Sequence, residues 1–152
     1  MKYWLMKSEP DVFNIDDLAG RPEKTEPWDG IRNYQARNFI RDEMKPGDLA
    51  FFYHSNCDEP GIAGIVSIVS APRPDPSAFD KRSRYFDPKS HPDNPRWYLV
   101  DVKYQKHLKQ PISLQELRRH RQLENMKLLQ KGNRLSIMPL TKSEWEYILS
   151  LT

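Results

Sequence analysis

The 152-residue sequence predicts an α+β fold: a small, strongly curved, barrel-like mixed β-sheet flanked by short helices, in a single domain over residues 1–152. Three observations carry this expectation. About five segments have strand composition, the helical signals are short, and the two do not alternate as a doubly wound sheet requires. At this length roughly 68–70% of the unfolded chain's surface is buried on folding, so one core suffices without staples. The 4 Trp, 7 Tyr and 6 Phe exceed what a disordered chain carries, despite a mean hydropathy of −0.82.

Tyr3 to Met6 is a short aromatic and aliphatic strand, closed by the polar turn Lys7-Ser8-Glu9-Pro10. Asn14 is placed to cap a helix through Ile15 to Leu18 that stops at Gly20. Residues 20–30, with Pro22, Pro27 and Gly30, read as loop around Trp28. Asn33 caps a helix over Tyr34 to Arg41, and the turn Met44 to Asp48 launches a strand from Leu49 to His54. Gly61 to Ser70 is nearly continuously apolar, a strand buried on both faces, in which Gly61 and Gly64 signal a bulge or a close backbone approach.

Residues 71–96 hold six of the 13 prolines and form a long loop with one helical turn near Ser77 to Phe79. Loops of that length in compact domains are more often functional or mobile than incidental. Trp97 to Tyr104 alternates, with Tyr98, Val100, Val102 and Tyr104 toward the core. Ser113 to Glu116 and Thr141 to Glu144 have the capping-box pattern, opening helices to about His120 and through Leu149. Between them lie a helical turn at Asn125 to Gln130, a stop at Gly132, and a strand Leu135 to Met138 ended by Pro139.

The formal charge of +3 conceals an asymmetry: residues 1–76 hold 9 Lys+Arg against 13 Asp+Glu, and residues 77–152 hold 15 against 8. A basic half offers attraction for polyanions, although a solvated helix face gives the same count. No apolar run approaches the ~18 residues of a membrane span, and the apolar start is far too short for a secretory leader. With the single cysteine Cys57, which forms no internal disulfide, this predicts a protein of the reducing cytoplasm. No Cys/His cluster has zinc-site spacing, and no phosphate loop, HExxH or GxSxG is present, so neither metal, cofactor nor catalytic nucleophile is expected. Cys57 itself reads as a loop thiol, lacking any neighbouring cation to lower its pKa.

The chemistry-bearing residues are polar and aromatic. Lys7, Ser8 and Glu9, then Trp28, then Asn33, Tyr34 and Arg37, then Tyr53, His54 and Ser55 all sit at strand ends or helix starts, where separate segments converge. Aromatic faces with amide, hydroxyl and amine groups at the edge suit a planar heterocycle: stacking supplies roughly 1–3 kcal/mol per base and edge hydrogen bonds discriminate. Each residue also has a plain structural role open to it. Trp28 reads equally as a core aromatic, Asn33 as a helix cap, and Arg37 as a solvated surface charge.

Four ordered segments resemble one known family: Tyr3 to Pro10, Trp28-Asp29-Gly30-Ile31-Arg32-Asn33-Tyr34-Gln35-Ala36-Arg37-Asn38, Gly47 to Asn56, and Arg134-Leu135-Ser136-Ile137-Met138-Pro139. Over Tyr3 to about Leu149 the chain is similar to the EVE domain family. That resemblance implies a PUA-like fold related to the YTH readers of methylated adenine in RNA, and a non-enzymatic role in binding modified bases. It further implies that Lys7 and Ser8 open the pocket, that Trp28 is an aromatic wall, and that Tyr53, His54, Ser55, Arg134 and Ser136 belong to the site. Ile137-Met138 stands where the family pattern carries Val-Gln, so an apolar Met138 would alter edge recognition wherever that position touches ligand.

The expected partner is RNA or DNA carrying a modified base, bound by a monomer with no membrane association. Trp28 would stack on a flipped-out base, with Ser8, Asn33, His54 and Ser55 at its edge. Two other readings remain open: a nucleotide-directed hydrolase or transferase with His54 as general base and Glu9 or Asp29 as its partner, and a protein-interaction module using the Arg118-Arg119-His120-Arg121 cluster.

Overall fold

The computed structural model describes residues 1–152. The strands are β1 (Tyr3–Ser8), β2 (Thr25–Pro27), β3 (Leu49–His54), β4 (Gly61–Ile68), β5 (Arg73–Pro74), β6 (Tyr98–Leu99), β7 (Asp101–Ser113) and β8 (Ile137–Leu140), and the helices α1 (Ile15–Ala19), α2 (Tyr34–Asn38), α3 (Leu114–Arg118) and α4 (Lys142–Ser150). Six strands form one mixed sheet in the order β2-β7-β4-β3-β1-β8, while β5 and β6 form a separate short ladder. Within the six-stranded sheet only β1 and β3 run parallel, so their C-terminal ends, Ser8 and His54, lie side by side.

The α+β expectation holds, and bulges supply the curvature. Register shifts interrupt β3–β4 at Phe52/Tyr53 and β4–β7 at Ile62/Gly64 and Ile65/Val66. A Cβ at Gly64 would stand 2.6 Å from the Lys106 carbonyl oxygen, the close approach that its position in an apolar strand suggested.

Alternation along the strands divides the core in two. Trp4, Met6, Ala50 and Phe52 face one side, under α1, α2 and the turn that carries Trp28. Leu5, Phe51, Tyr53 and Ile62 face the other, under α3, α4 and the turns around Leu123 and Leu128. Reciprocal capping boxes open α1, through Asn14 and Asp17, and α4, through Thr141 and Glu144. Ser113 caps α3 on one side only, because the Glu116 carboxylate turns to His120 at 3.1 Å.

Several boundaries differ from the sequence expectations. The first strand runs on through Ser8, since its parallel register with β3 continues to the Ser8–His54 pair. The segment read as loop around Trp28 contains β2, whose three residues are ordered by pairing with β7 rather than by their own composition. The helix after Asn33 leaves α geometry at Phe39, where a wider turn closes with Met44 N–H on the Phe39 carbonyl. The strand expected to stop at Tyr104 extends to Ser113, hidden by the exposed run Gln105, Lys106, His107, Lys109 and Gln110. Pro139 lies inside β8 rather than after it, which an edge strand tolerates.

Candidate functional site

Where β1 ends, the first face of the sheet is left open as a cavity of about 540 Å³. Lys7, Ser8 and Glu9 line it from β1, Val12 and Phe13 from the turn into α1, Glu26 to Ile31 from β2 and its sequel, Arg84 and Tyr85 from the long loop, and Ser136 from the approach to β8. Local sequence explains the convergence. Lys7 N–H donates to the Ser136 carbonyl at 2.8 Å, Ser55 N–H to the Ser8 carbonyl at 3.0 Å, and the Ser8 hydroxyl to the Phe13 carbonyl at 2.5 Å.

Trp28 is a core aromatic, 7% exposed, that meets Phe52 edge-on at 5.5 Å and also borders the cavity. Tyr85 lines the same cavity, packed on Gly30: a Cβ there would lie 2.6 Å from the Tyr85 ring, and Gly30 has φ +82°. Glycine is thus required twice, for the left-handed turn and for the approach of the ring.

A buried ion pair ties this wall down. Asp75, fully buried, accepts from Gly30 N–H (2.9 Å), from Arg32 Nη1 (3.1 Å) and from the Ser77 hydroxyl (2.6 Å). Arg32 also donates through Nε and Nη2 to the Tyr85 carbonyl at 3.0 and 2.6 Å. Burial pushes the Asp75 carboxyl up, and the bonds from Ser77, Gly30 and Arg32 outweigh it, holding the group below the ordinary carboxylate range. The 71–96 loop is therefore fastened to the cavity at both Asp75 and Tyr85.

Lys7 lines the cavity where β1 ends, but its ammonium lies 5.9 Å from the ring centroid of Tyr53, its register partner, on the face away from Trp28, and burial lowers its pKa. Burial raises the Asp29 carboxyl, and the nearby Asp75 and Glu26 carboxylates push it further against a smaller effect of Arg32. Both shifts move toward the uncharged form.

The structure divides the sequence-predicted residues. Lys7, Ser8, Glu9, Trp28 and Ser136 line the cavity. His54 and Ser55 stand behind it. His54 Nε2 accepts from Ile15 N–H at 3.2 Å, so the ring caps the start of α1 instead of meeting a ligand edge, and burial lowers its pKa. Tyr53 points to the opposite face, 2% exposed, with its phenol pushed up to about 12 by burial.

Asn33 is the cap of α2, its amide oxygen accepting from Ala36 N–H at 3.0 Å, and it does not line the cavity. Tyr34 and Arg37 lie beyond it, on the outer side of Trp97. Arg134 is exposed before β8 and also stays out of the cavity. Met138, fully buried in the second core, has no access to the site, so its departure from the family pattern concerns packing.

Sequence reasoning did not select Tyr85, Arg84 or Asp75. The signals were present: a long Pro-rich loop in a compact domain, and in that loop an acidic residue between two prolines, Pro74-Asp75-Pro76.

The structure is a curled α+β sheet whose open face ends in an aromatic and polar cavity beside the end of its parallel strand pair. The chain belongs to the EVE domain family, whose model matches residues 2–151. It is 48% identical to human thymocyte nuclear protein 1 over 98% of this chain and 73% of that protein. It superposes with a TM-score of 0.95, at 47% identity, on the crystal structure of human THYN1 in complex with 5-methylcytosine containing DNA, covering 99% of this chain and 97% of that one. A Pseudomonas putida protein of known structure is 48% identical, with a TM-score of 0.94 and 98% coverage of both chains.

These relatives correct one expectation. The curated ones are named thymocyte nuclear protein 1, so the cytoplasmic assignment does not stand. Its premise was too weak to support it, since thiols stay reduced in nucleus and cytosol alike and one free cysteine fits either.

Proposed function

We propose that the chain is a nucleic-acid-binding module that reads a modified base, and that DNA carrying 5-methylcytosine is the partner its cavity fits best. The carrying observation is the Trp28–Tyr85 cavity with Lys7 and Asp29 at its edges, in a chain 47% identical to a protein whose structure holds 5-methylcytosine containing DNA. Cytosine presents an amino donor and two acceptors along one edge. Asp29 accepts from the amino group, and Val12, Phe13 and Ile31 offer apolar surface to the methyl. Turning a base out of the stack costs a few kcal/mol, which stacking against Trp28 and Tyr85 at roughly 1–3 kcal/mol per base offsets.

The test is a titration with strands identical except for cytosine or 5-methylcytosine at one position, as DNA and as RNA, at two salt concentrations. Preferential binding of the methylated DNA, weakening with salt as phosphate contacts do, is the expected result. Equal binding of both strands would overturn it. The hydrolase reading loses its general base, because His54 Nε2 is already engaged by Ile15 N–H. The Arg118 to Arg121 cluster spans the end of α3 and the turn after it, on the opposite face, where His120 bonds the Tyr147 hydroxyl at 2.7 Å and Arg119 pairs with Glu116 at 3.6 Å.

A further inference from the structure

Tyr85 is not only a cavity wall; it begins a row of alternating guanidinium groups and rings that leads away from the site. The Arg32 guanidinium lies 5.6 Å from the Tyr85 ring centroid and 5.4 Å from that of Trp97. Trp97, held by its Nε1–H on Asp87 at 2.7 Å, stacks on Tyr34 with centroids 4.9 Å apart and planes 23° apart. Arg37 lies 4.8 Å from the Tyr34 ring centroid, and at the cavity end Arg84 lies 5.2 Å from that of Tyr85. The interior of the row is structural: Trp97 is buried, and Arg32 is paired with Asp75.

Its ends are different. Tyr34 is 52% exposed, one of few large apolar-bodied side chains left in solvent. Neither Arg37 nor Arg84 has a carboxylate partner; Arg37 donates through Nε to the Asn38 amide oxygen at 2.9 Å and through Nη1 to the Arg96 carbonyl at 2.8 Å, which hold its guanidinium in place without neutralising it. An exposed ring between uncompensated guanidinium groups, contiguous with a base-sized cavity, has the makings of a surface for unpaired nucleotides: rings and guanidinium planes stack bases, and free cations take phosphates.

We propose that this row is a second nucleic-acid subsite, which holds the unpaired nucleotides flanking the base in the cavity. Tyr34 is the platform for a neighbouring base, and Arg37 and Arg84 take the phosphates on either side of the step between the two sites. The proposal rests on the base-reading role of the cavity and adds a requirement for single-stranded or opened sequence beside the modified base. It also gives Tyr34 and Arg37, which the sequence singled out and the cavity does not use, a role of their own.

The experiment compares two single-stranded DNA 9-mers with a central 5-methylcytosine, one with ordinary neighbours and one with abasic residues on both sides, each paired with its unmethylated version. Wild type is expected to bind the ordinary strand about 10-fold more tightly than the abasic-flanked one, the worth of one stacked base. Tyr34→Leu, which keeps apolar cover over Trp97, should erase that difference and leave binding of the abasic-flanked strand unchanged. Arg37→Gln should weaken both strands alike and reduce the salt dependence. Equal wild-type affinity for the two strands overturns the subsite, as does a Tyr34→Leu loss that is the same for both. If neither strand shows a methyl preference, the cavity's role fails while a Tyr34-dependent flank effect still upholds the row.

Discussion

Each face of the sheet is anchored by a tryptophan set against one of two adjacent phenylalanines, and the two faces are finished differently. Trp145, 3% exposed, stacks on Phe51 at 4.0 Å and on Tyr3 at 4.9 Å, and α4 seals it in. Trp28, 7% exposed, meets Phe52 edge-on and borders a cavity edged by Lys7 and Asp29. Burial alone therefore does not separate the two indoles. Their surroundings do: Trp145 is closed in by two stacked rings, Trp28 by one edge-on ring beside an open cavity.

The comparison breaks most visibly at the two rings. Trp145→Ala removes a fully packed indole and should cost about 3–5 kcal/mol in urea unfolding, with the methylcytosine preference of the folded fraction intact. A changed preference in that variant would show that the faces are coupled. Trp28→Ala should lose the preference altogether and also lose stability, about 3 kcal/mol, because the ring is part of the first core.

A sharper contrast lies in two glycines of nearly equal backbone. Gly30 has φ +82° and Gly132 φ +80°, yet a Cβ at Gly132 meets nothing within 4 Å and one at Gly30 meets Tyr85. Alanine at either position should cost about 1–3 kcal/mol of strain by thermal or urea unfolding. Only Gly30→Ala should also weaken binding of methylated DNA in a fluorescence titration, by roughly tenfold, the equivalent of 1.4 kcal/mol.

The smallest effect is the pH response of the open face. The Asp29 carboxyl has a raised pKa in the folded protein, so its contribution to stability is present below the unfolded pKa and is lost as pH rises through the folded one. Asp29→Asn should therefore stabilise the free protein at neutral pH. The same variant should abolish the acid limb of binding, which in the parent begins above the ordinary carboxylate range as Asp29 takes up its proton. A pH-independent binding constant would remove Asp29 from the ligand edge.

Much of this face could be read from local chemistry, and the exceptions share one cause. Asn14, Asn33 and Thr141 cap helices where the sequence places them, because a cap depends on residues within one turn. Lys7, Ser8 and Trp28 reach the cavity because strand ends and turns deliver polar and aromatic groups to a sheet's rim. Asp75, Tyr85 and Arg32 were not legible as a unit: they lie 43 and 53 residues apart along the chain and meet only through a loop whose path is set by tertiary contacts. His54 and Tyr53 failed for a simpler reason. One residue of β3 shifts a side chain to the other face, and a histidine nitrogen serves a backbone N–H as readily as a base.

The placement of β1 between β3 and β8 has a consequence for how the molecule comes together in time. Tyr3 pairs with both Leu49 and Leu140, so the strand whose end floors the cavity gains its second neighbour only through a closure spanning nearly the whole described chain. Closing so long a loop is an entropic barrier paid before the contacts that reward it form, and topologies rich in such contacts fold in milliseconds to seconds rather than microseconds. The Lys7–Ser136 bond, and with it that edge of the site, belongs to this late step. A partially folded chain that already holds α1 and α2 would still have no finished cavity.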